Sequence, residues 1–437
     1  MLLHFRFPLR QLRCFHTELS RIPLTNDLFE LQYLRYQNDR NSRKISLMWD
    51  YERDIWARFG RKPIIRRAAE TLKEMRARKP TDLYYISKTL PYFKENVLSL
   101  LYSQGCSMSG GPGLVQDENI AFLRTEGAIG AFAITSQFLS KYLNVRTMWI
   151  PDLYDSTTIE VLQNNGLTSI KKYPYLSETS AFNVDVENWF MTLQKNLNSK
   201  ENNQVQAILL NGCAHKPSGI NASKEDWKKV AEVVAKLKLI PILDMSQHGM
   251  ESGSLQKDAY ALRALLDVIK QDPDAFPNGV YVCHSLSSSI GFDSDIVGSL
   301  SVPLPRSCTI SAKGNINEVL QNCFDSMYNL PAAEEFYLAN LILSRSNLKY
   351  KWYKELECLM ISLNSVRKQL SSALQDKAKF NFAKHCGLFY NTRLDQDQIE
   401  RLRREYSVYL HPSGRMSLAP FTDSNIGFIC RALNSVK

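Results

Sequence analysis

Apolar residues follow two different periodicities along this chain. Several short runs are continuously apolar and end at polar or turn-forming residues, as expected for strands buried on both faces of a sheet. Between them, apolar residues recur at helical spacing, as in residues 224–239, which begin after the favourable N-cap Ser223. The alternation predicts an α/β fold with a mostly parallel sheet sandwiched by helices. The predicted strands read VRTMWIPD, VQAILLNGC, LIPILDMS, GVYVCHSL and DIVGSLSVPL.

The segment AFLRTEGAIGAFAITSQFLSKYL adds one more unit to this pattern. It predicts a strand, a tight glycine turn and a helix. Parallel sheets bind their ligands where the strands end, in the loops that follow them. We therefore expect a site built from the loops at residues 125–130, 151–158, 211–219, 244–249 and 284–297.

The pattern changes near residue 341, where long helices replace the strand–helix alternation. Short strands are then predicted near residues 386–393 and 406–410. A chain of 437 residues is also too long for one small domain. The predicted divisions are a transit peptide at 1–15, an N-terminal arm with part of a small domain at 16–62, a large domain at 63–340 and a small α+β domain at 341–437.

The N-terminal segment MLLHFRFPLRQLRCFHTELS carries Arg6, Arg10 and Arg13 among apolar residues, with no acid before Glu18. This composition is typical of a mitochondrial transit peptide and predicts a location in the mitochondrial matrix. An ordinary basic tail is the alternative. Loss of residues 1–15 would lower the formal charge from +10 to +7.

This mildly basic charge is spread along the chain. No run of five Lys/Arg residues and no tract of interleaved basic and aromatic residues occurs, so nucleic acid is not an expected partner. No apolar run reaches about 18 residues, so no membrane insertion is predicted. The nine cysteines form no CxxC pair and favour free thiols. The pairs Cys213/His215 and His248/Glu251 are isolated, and no metal site is predicted.

The predicted loops resemble those of one known family. The segments LNGCAHKPSGINASKEDWKKV, IPILDMSQHGMESG, GSLSV and GRMSLA are similar in order and spacing to class I aminotransferases, and most of all to fungal mitochondrial aspartate aminotransferases. The resemblance runs from residue 47 to the C-terminus. It implies the pyridoxal-phosphate (PLP) fold type I, a homodimer and active sites at the dimer interface. Function still has to be argued from the site itself.

PLP chemistry needs a lysine that binds the cofactor covalently. The family pattern S-x-[SA]-K-N-x-G-L-Y-x-E-R-V-G corresponds without a gap to SLSSSIGFDSDIVG at residues 285–298. The resemblance therefore places Ser288 at the Schiff-base lysine and Ile296 at an arginine that holds the cofactor phosphate. A serine cannot form an imine, and no lysine lies between Lys270 and Lys313.

The second phosphate anchor of the family is also altered. The family has S-G-T-G-A at the start of a helix, whereas this chain has GAIGA at residues 127–131, preceded by Glu126. Both hydroxyls are missing, and a carboxylate at a helix start would repel a phosphate that needs the same dipole. The resemblance keeps two phosphate contacts, at Ser285 and Tyr84.

The ring contacts that the resemblance implies are mixed. Asp244 corresponds to the acid that pairs with the pyridinium nitrogen of the cofactor. Four other residues replace the family's tyrosine, asparagine, tryptophan and histidine, in that order: Gln247, Lys216, Asp155 and Thr158.

The substrate contacts are halved. Arg415 corresponds to the arginine that binds the substrate α-carboxylate, whereas Asp325 replaces the distal arginine lent by the partner subunit. An acid there would repel a second substrate carboxylate.

Together these substitutions predict a mitochondrial, aspartate-aminotransferase-like protein that has lost transamination and binds no cofactor. Contacts of the former PLP site remain at Asp244, Ser285, Tyr84 and Lys216, and Arg415 remains for a small carboxylate. Such a protein would act as a dimeric scaffold, a partner subunit (in a homodimer or with an active paralogue) or a small-anion binder. The alternative is a divergent active transaminase that uses PLP to convert aspartate and 2-oxoglutarate to oxaloacetate and glutamate. Lys216 is then the candidate for a relocated nucleophile.

Overall fold

One seven-stranded sheet organises the structure, a computed structural model that describes residues 28–48, 64–78, 92–103, 119–177, 182–197, 204–292, 294–328, 333–376 and 380–436. The strands are β1 (Ile45–Ser46), β2 (Ile120–Glu126), β3 (Thr147–Pro151), β4 (Ser169–Tyr173), β5 (Ala207–Asn211), β6 (Ile240–Met245), β7 (Tyr281–Ser285), β8 (Val297–Pro303), β9 (Phe389–Asn391), β10 (Val408–Tyr409) and β11 (Arg415–Ser417).

The large sheet has the strand order β2–β8–β7–β6–β5–β3–β4. Strand β8 is antiparallel to both of its neighbours, and the other pairs are parallel. The five apolar runs correspond to β3, β5, β6, β7 and β8, so the predicted α/β fold with a mostly parallel sheet is confirmed. Because the parallel strands share one direction, the loops that follow them meet at one edge of the sheet.

Helices cover both faces of this sheet. Adjacent residues of β5 show the division, because Leu209 packs into one apolar cluster and Leu210 into the other. The helices are α1 (Leu28–Asn38), α2 (Ile64–Arg78), α3 (Phe93–Tyr102), α4 (Gly127–Tyr142), α5 (Ser156–Asn164), α6 (Val186–Leu197), α7 (Lys224–Lys236), α8 (Leu255–Asp258), α9 (Tyr260–Gln271), α10 (Ser287–Ile290), α11 (Ile310–Tyr328), α12 (Ala333–Ser344), α13 (Ser346–Ala373), α14 (Gln396–Tyr406) and α15 (Ile426–Ser435).

The ends of α7 show how local chemistry sets helix boundaries. Its first turn is closed by a capping box, in which Ser223 and Asp226 each accept a hydrogen bond from the other's backbone amide. The helix was expected to reach residue 239 but ends at Lys236. Lys238 has a φ of +54°, a left-handed conformation that stops the helix before β6.

The C-terminal segment contains the long helix α13 and two small sheets. Strand β9 pairs antiparallel with β11, and β1 pairs in parallel with β10. Residues 45–46 therefore lie against the C-terminal segment, and the short strands expected near 386–393 and 406–410 are present. The domain boundaries remain predictions, and the transit peptide expected at 1–15 lies outside the described residues. Within the described ranges, every helix is too short or too polar to span a bilayer.

Strand β2 passes directly into α4 at Gly127, so the expected glycine turn is a single residue. Gly127 has a φ of +61°, which favours glycine. Strand β8 crosses this junction closely: a Cβ added at Gly298 would lie 2.3 Å from the carbonyl oxygen of Gly127. Glycine is therefore required at residue 127, where α4 begins, and at residue 298, on β8.

Gly298→Ala is expected to destabilise the protein by about 2–3 kcal/mol, because the added methyl group meets backbone atoms that cannot move aside. Gly314 in α11 provides a matched control, since a Cβ there meets no atom within 4 Å. Gly314→Ala should stabilise the protein by up to about 1 kcal/mol. Urea unfolding midpoints measure both effects, and equal midpoints for the two variants would contradict this packing.

Candidate functional site

A cavity of about 430 Å³ lies at the edge where the parallel strands end. The loops after β2, β3, β5, β6 and β7 all contribute to its wall, as the sequence predicted for a ligand site. Among the residues singled out from the sequence, the structure brings Ser288, Asp244, Lys216 and Arg415 to this wall. Tyr84 lies outside the described residues.

Ser288 stands on the short helix α10, immediately after β7. Its hydroxyl accepts a hydrogen bond from the side-chain amide of Gln247 at 3.1 Å. Both are residues that the resemblance marks as substituted. The position of the expected lysine is therefore occupied by a neutral hydroxyl that is already hydrogen bonded to a neutral amide.

The first turn of α4 binds a carboxylate from the protein itself. Oδ2 of Asp295 accepts hydrogen bonds from the backbone amides of Ala128 at 2.9 Å and Ile129 at 3.2 Å. Oδ1 accepts a hydrogen bond from the Ser285 hydroxyl at 2.6 Å. We call these two amides and this hydroxyl the α4 cradle. They are the donors that a helix N-terminus offers to an anion.

The backbone just after Asp295 is fixed by hydrogen bonds. The hydroxyl of Ser287 accepts hydrogen bonds from the amides of Ile296 and Val297, both at 3.0 Å. Ile296 is partly buried and packs against the main apolar cluster. Ile296 thus contributes apolar contacts next to the α4 cradle.

Asp155 and Lys216 form an ion pair on the cavity wall, with Nζ 3.4 Å from Oδ1. The two side chains are only 23% and 25% exposed, which limits screening by solvent. Asp155 also caps α5 through the amide of Thr158. Lys216 Nζ lies 5.4 Å from the centre of the Phe389 ring. The amine considered as a relocated nucleophile is therefore held by an acid and an aromatic face.

Asp244 is the penultimate residue of β6 and is buried. Its carboxylate accepts hydrogen bonds from the backbone amide of Ser246 at 2.8 Å, the side chain of Asn211 at 3.5 Å and the hydroxyl of Tyr154. Burial, and then the charge of Asp244, raises the pKa of Tyr154 and keeps this phenol protonated as a donor. Sequence reasoning found Asp244 but missed Tyr154 and Asn211.

Arg415 lies in β11 and is buried beside the cavity. Nη2 donates a hydrogen bond to the carbonyl of Met48 at 3.3 Å, and the guanidinium lies 4.7 Å from the centre of the Phe389 ring. Lys216 and Arg415 therefore contact the same aromatic ring, which places both cations on one side of the cavity.

Two other residues considered in the sequence analysis, Asp325 and His248, lie away from this cavity. Asp325 is on α11, where it accepts a hydrogen bond from Gln321, and it is not part of the described cavity wall. His248 bonds His284 and the carbonyl of Leu255 in the core. Over the described ranges no group of three or more His, Cys, Asp or Glu side chains has a metal-binding arrangement.

Comparison with known proteins identifies the family of this chain. The model of aminotransferase class I and II matches residues 57–433. The chain belongs to this family. Mitochondrial aspartate aminotransferase of Saccharomyces cerevisiae is 32% identical over 415 residues, which cover 92% of this chain and 90% of that protein. Aspartate aminotransferase of Escherichia coli is 26% identical over 86% of this chain and 90% of its own length.

Solved structures of this aminotransferase family share the fold. The cytoplasmic aspartate aminotransferase of Saccharomyces cerevisiae superposes with a TM-score of 0.81 at 21% identity, covering 95% of this chain and 97% of its own. An aromatic-amino-acid aminotransferase from Burkholderia pseudomallei, solved covalently bound to pyridoxal phosphate, has a TM-score of 0.79 at 20% identity, covering 96% of this chain and 99% of its own.

The donor set of this aminotransferase-family cavity does not match the PLP contacts that the family resemblance implies. The covalent position offers the hydroxyl of Ser288, and the α4 cradle is engaged by Asp295. Of the described residues, Asp244 is the one that the resemblance pairs with the ring nitrogen of the cofactor, and it lies on the cavity wall. Arg415 places on the same wall a guanidinium, a group that can bind a carboxylate bidentately.

Glu251 fixes the loop that carries Lys216 into the cavity. Its Oε2 accepts hydrogen bonds from the amide of Ala214 at 3.3 Å and from the side chain of Asn221, at the two ends of that loop. Burial, and then the charge of Asp258, raises the pKa of Glu251 to about 7. The folded protein therefore favours the protonated form of this carboxyl group.

This raised pKa predicts a pH dependence of stability. The contribution of protonated Glu251 is fully present below its ordinary pKa of 4.5 and is lost as the pH rises through about 7. Glu251→Gln should remove that loss, which amounts to about 3 kcal/mol, because an amide does not ionise. Urea unfolding between pH 5 and pH 8 measures the slope. Glu232→Gln, at an exposed position of α7, is the control; equal slopes in both variants would contradict the assignment.

Proposed function

We propose that this member of the aminotransferase family has lost PLP-dependent transamination and serves as a non-catalytic subunit with a small-carboxylate site at Arg415. The observation that carries the proposal is the hydrogen bond between Ser288 and Gln247. A hydroxyl occupies the position of the covalent lysine, and its partner leaves it no base to activate it. On the described cavity wall the only amine is that of Lys216, which is paired with Asp155 and does not replace the lysine.

Electrostatics favours the same proposal. In the family a cofactor phosphate would need the amides of α4 and an arginine, whereas here Asp295 engages those amides and Ile296 replaces that arginine. An anionic ligand placed beside Asp295 and Asp244 would be repelled by both carboxylates. A small carboxylate near Arg415 and Lys216 would instead meet two cations.

The retained Asp244 favours the second candidate, a divergent active aspartate transaminase. Its carboxylate keeps three hydrogen-bond donors and lies where an acid partner of a pyridinium ring would be required. This candidate needs Lys216 to leave Asp155 and act as the nucleophile. The two candidates differ in whether the protein takes up PLP.

After incubation with PLP and removal of the excess, the purified full chain is expected to show no near-visible absorption band. It should form oxaloacetate from aspartate and 2-oxoglutarate only at the rate measured without protein. Ser288→Lys should also show no band, because the α4 cradle still holds Asp295. The mitochondrial aspartate aminotransferase of Saccharomyces cerevisiae serves as the positive control.

A band together with turnover in the unaltered chain would overturn the proposal. Borohydride reduction followed by peptide mapping then identifies the residue that carries the cofactor. An adduct at Lys216 would establish the second candidate, and we expect none, because the ion pair with Asp155 favours the charged amine over the neutral nucleophile.

We further propose a mitochondrial location and a dimer, either of this chain alone or with an active paralogue. The N-terminal arginines and the similarity to a mitochondrial relative support the location. A reporter fused to residues 1–15 should be imported into isolated mitochondria, and replacement of Arg6, Arg10 and Arg13 by glutamate should prevent import. Tagged full chain recovered from mitochondria should carry a second copy or a catalytically active aminotransferase chain; a monomer would contradict both forms of dimer.

A further inference from the structure

We propose that Asp295 is an internal anion that keeps the α4 cradle closed to phosphate groups. This inference deepens the proposed function and rests on it. The family pattern also has an acid at this position, followed by the arginine that Ile296 replaces, so the reason for exclusion is the placement of the Asp295 carboxylate on the amides of α4. It concerns the anion site alone and not the covalent position at Ser288. The two can therefore be tested separately.

The geometry of the contact is that of a bound oxyanion. One carboxylate oxygen accepts from two successive amides of the first turn of α4, and the other accepts from the hydroxyl of Ser285. Desolvation raises the pKa of Asp295, and the hydrogen bonds from Ser285 and the two amides oppose this rise. The carboxylate thus replaces solvent at the positive end of the helix dipole.

Close packing shows that the contact is built into the fold. A Cβ added at Gly127 would lie 2.2 Å from Cγ of Asp295. Only glycine at position 127 therefore allows the carboxylate to come this close to the start of the helix. The hydroxyl of Ser287 meanwhile fixes the backbone just after Asp295. Two independent features therefore hold this carboxylate at the α4 cradle.

An anion attached to the protein has a kinetic and entropic advantage over a free one. Asp295 follows Ser285 by ten residues; Ser285 ends β7, and Asp295 lies two residues before the neighbouring strand β8. Its carboxylate is therefore present at a high effective concentration, which a free phosphate at ordinary millimolar concentrations would have to exceed. Like charge adds to this exclusion, because phosphate would have to approach a carboxylate.

Removal of this carboxylate should open the site. Asp295 lines the cavity together with Ala128 and Ile129, so its truncation leaves room beside the donors. Asp295→Ser should acquire saturable binding of inorganic phosphate, seen in calorimetric titration and as a rise in Tm of about 2 °C over chloride of equal ionic strength. The unaltered chain should show neither effect.

Glu126→Gln is the matched control. Glu126 precedes the same helix and makes no side-chain capping hydrogen bond to it, so this variant removes a negative charge from the region without emptying the α4 cradle. It should behave as the unaltered chain does. If Glu126→Gln bound phosphate as strongly as Asp295→Ser, the loss of any nearby negative charge would explain the binding, and the inference would be overturned.

Two other results would overturn it. The unaltered chain could bind phosphate as strongly as Asp295→Ser, or a folded Asp295→Ser with cooperative unfolding could fail to bind it. If Asp295→Ser does not fold, Asp295→Asn keeps the side-chain volume and should gain a smaller Tm rise; no rise in that folded variant overturns the inference. Inorganic phosphate carries no aldehyde, so these outcomes hold whether or not the chain takes up PLP, and the proposed function is judged by the absorption test alone.

Discussion

The first turn of a helix presents amide groups that have no partner within the helix, and an anion is the natural group to satisfy them. In this protein the anion is the side chain of Asp295, which bridges α4 and Ser285. The contact joins the start of α4 to the end of β7 and lies beside the close approach of β8 to Gly127. The rest of the cavity surrounds an anion position that the protein fills with its own side chain.

The substituted residues of the cavity bond to each other. Gln247 bonds Ser288, and Lys216 pairs with Asp155, although these residues come from four different loops. Partly buried polar groups are costly when they lack partners. These contacts satisfy the side-chain NH2 group of Gln247 and pair the charges of Lys216 and Asp155, which limits the cost of burying them.

The fold was largely predictable from the sequence, whereas the contacts of the cavity were not. Continuous apolar runs located the strands because strands of a covered parallel sheet are buried on both faces. The end of α7 was misplaced because nothing in the pattern indicates the left-handed conformation of Lys238. The resemblance located Ser288, Asp244 and Lys216 at the cavity, yet it gave no indication of their new partners, which depend on side-chain directions.

Asp295 illustrates this limit most clearly. The family pattern also has an acid at this position, so residue identity alone does not reveal its contact with α4. One signal was present: an acid two residues before β8 lies near the end of β2, because the two strands pair antiparallel, and β2 leads into α4. Combining strand pairing with helix polarity would have placed a carboxylate at the helix start.

The ion pair between Asp155 and Lys216 has a consequence for how this cavity can change. A single substitution at either position would leave the other charge partly buried without this partner, so each change taken alone would lower stability. The two residues are therefore easier to replace together than one at a time, even where the surrounding fold is unchanged.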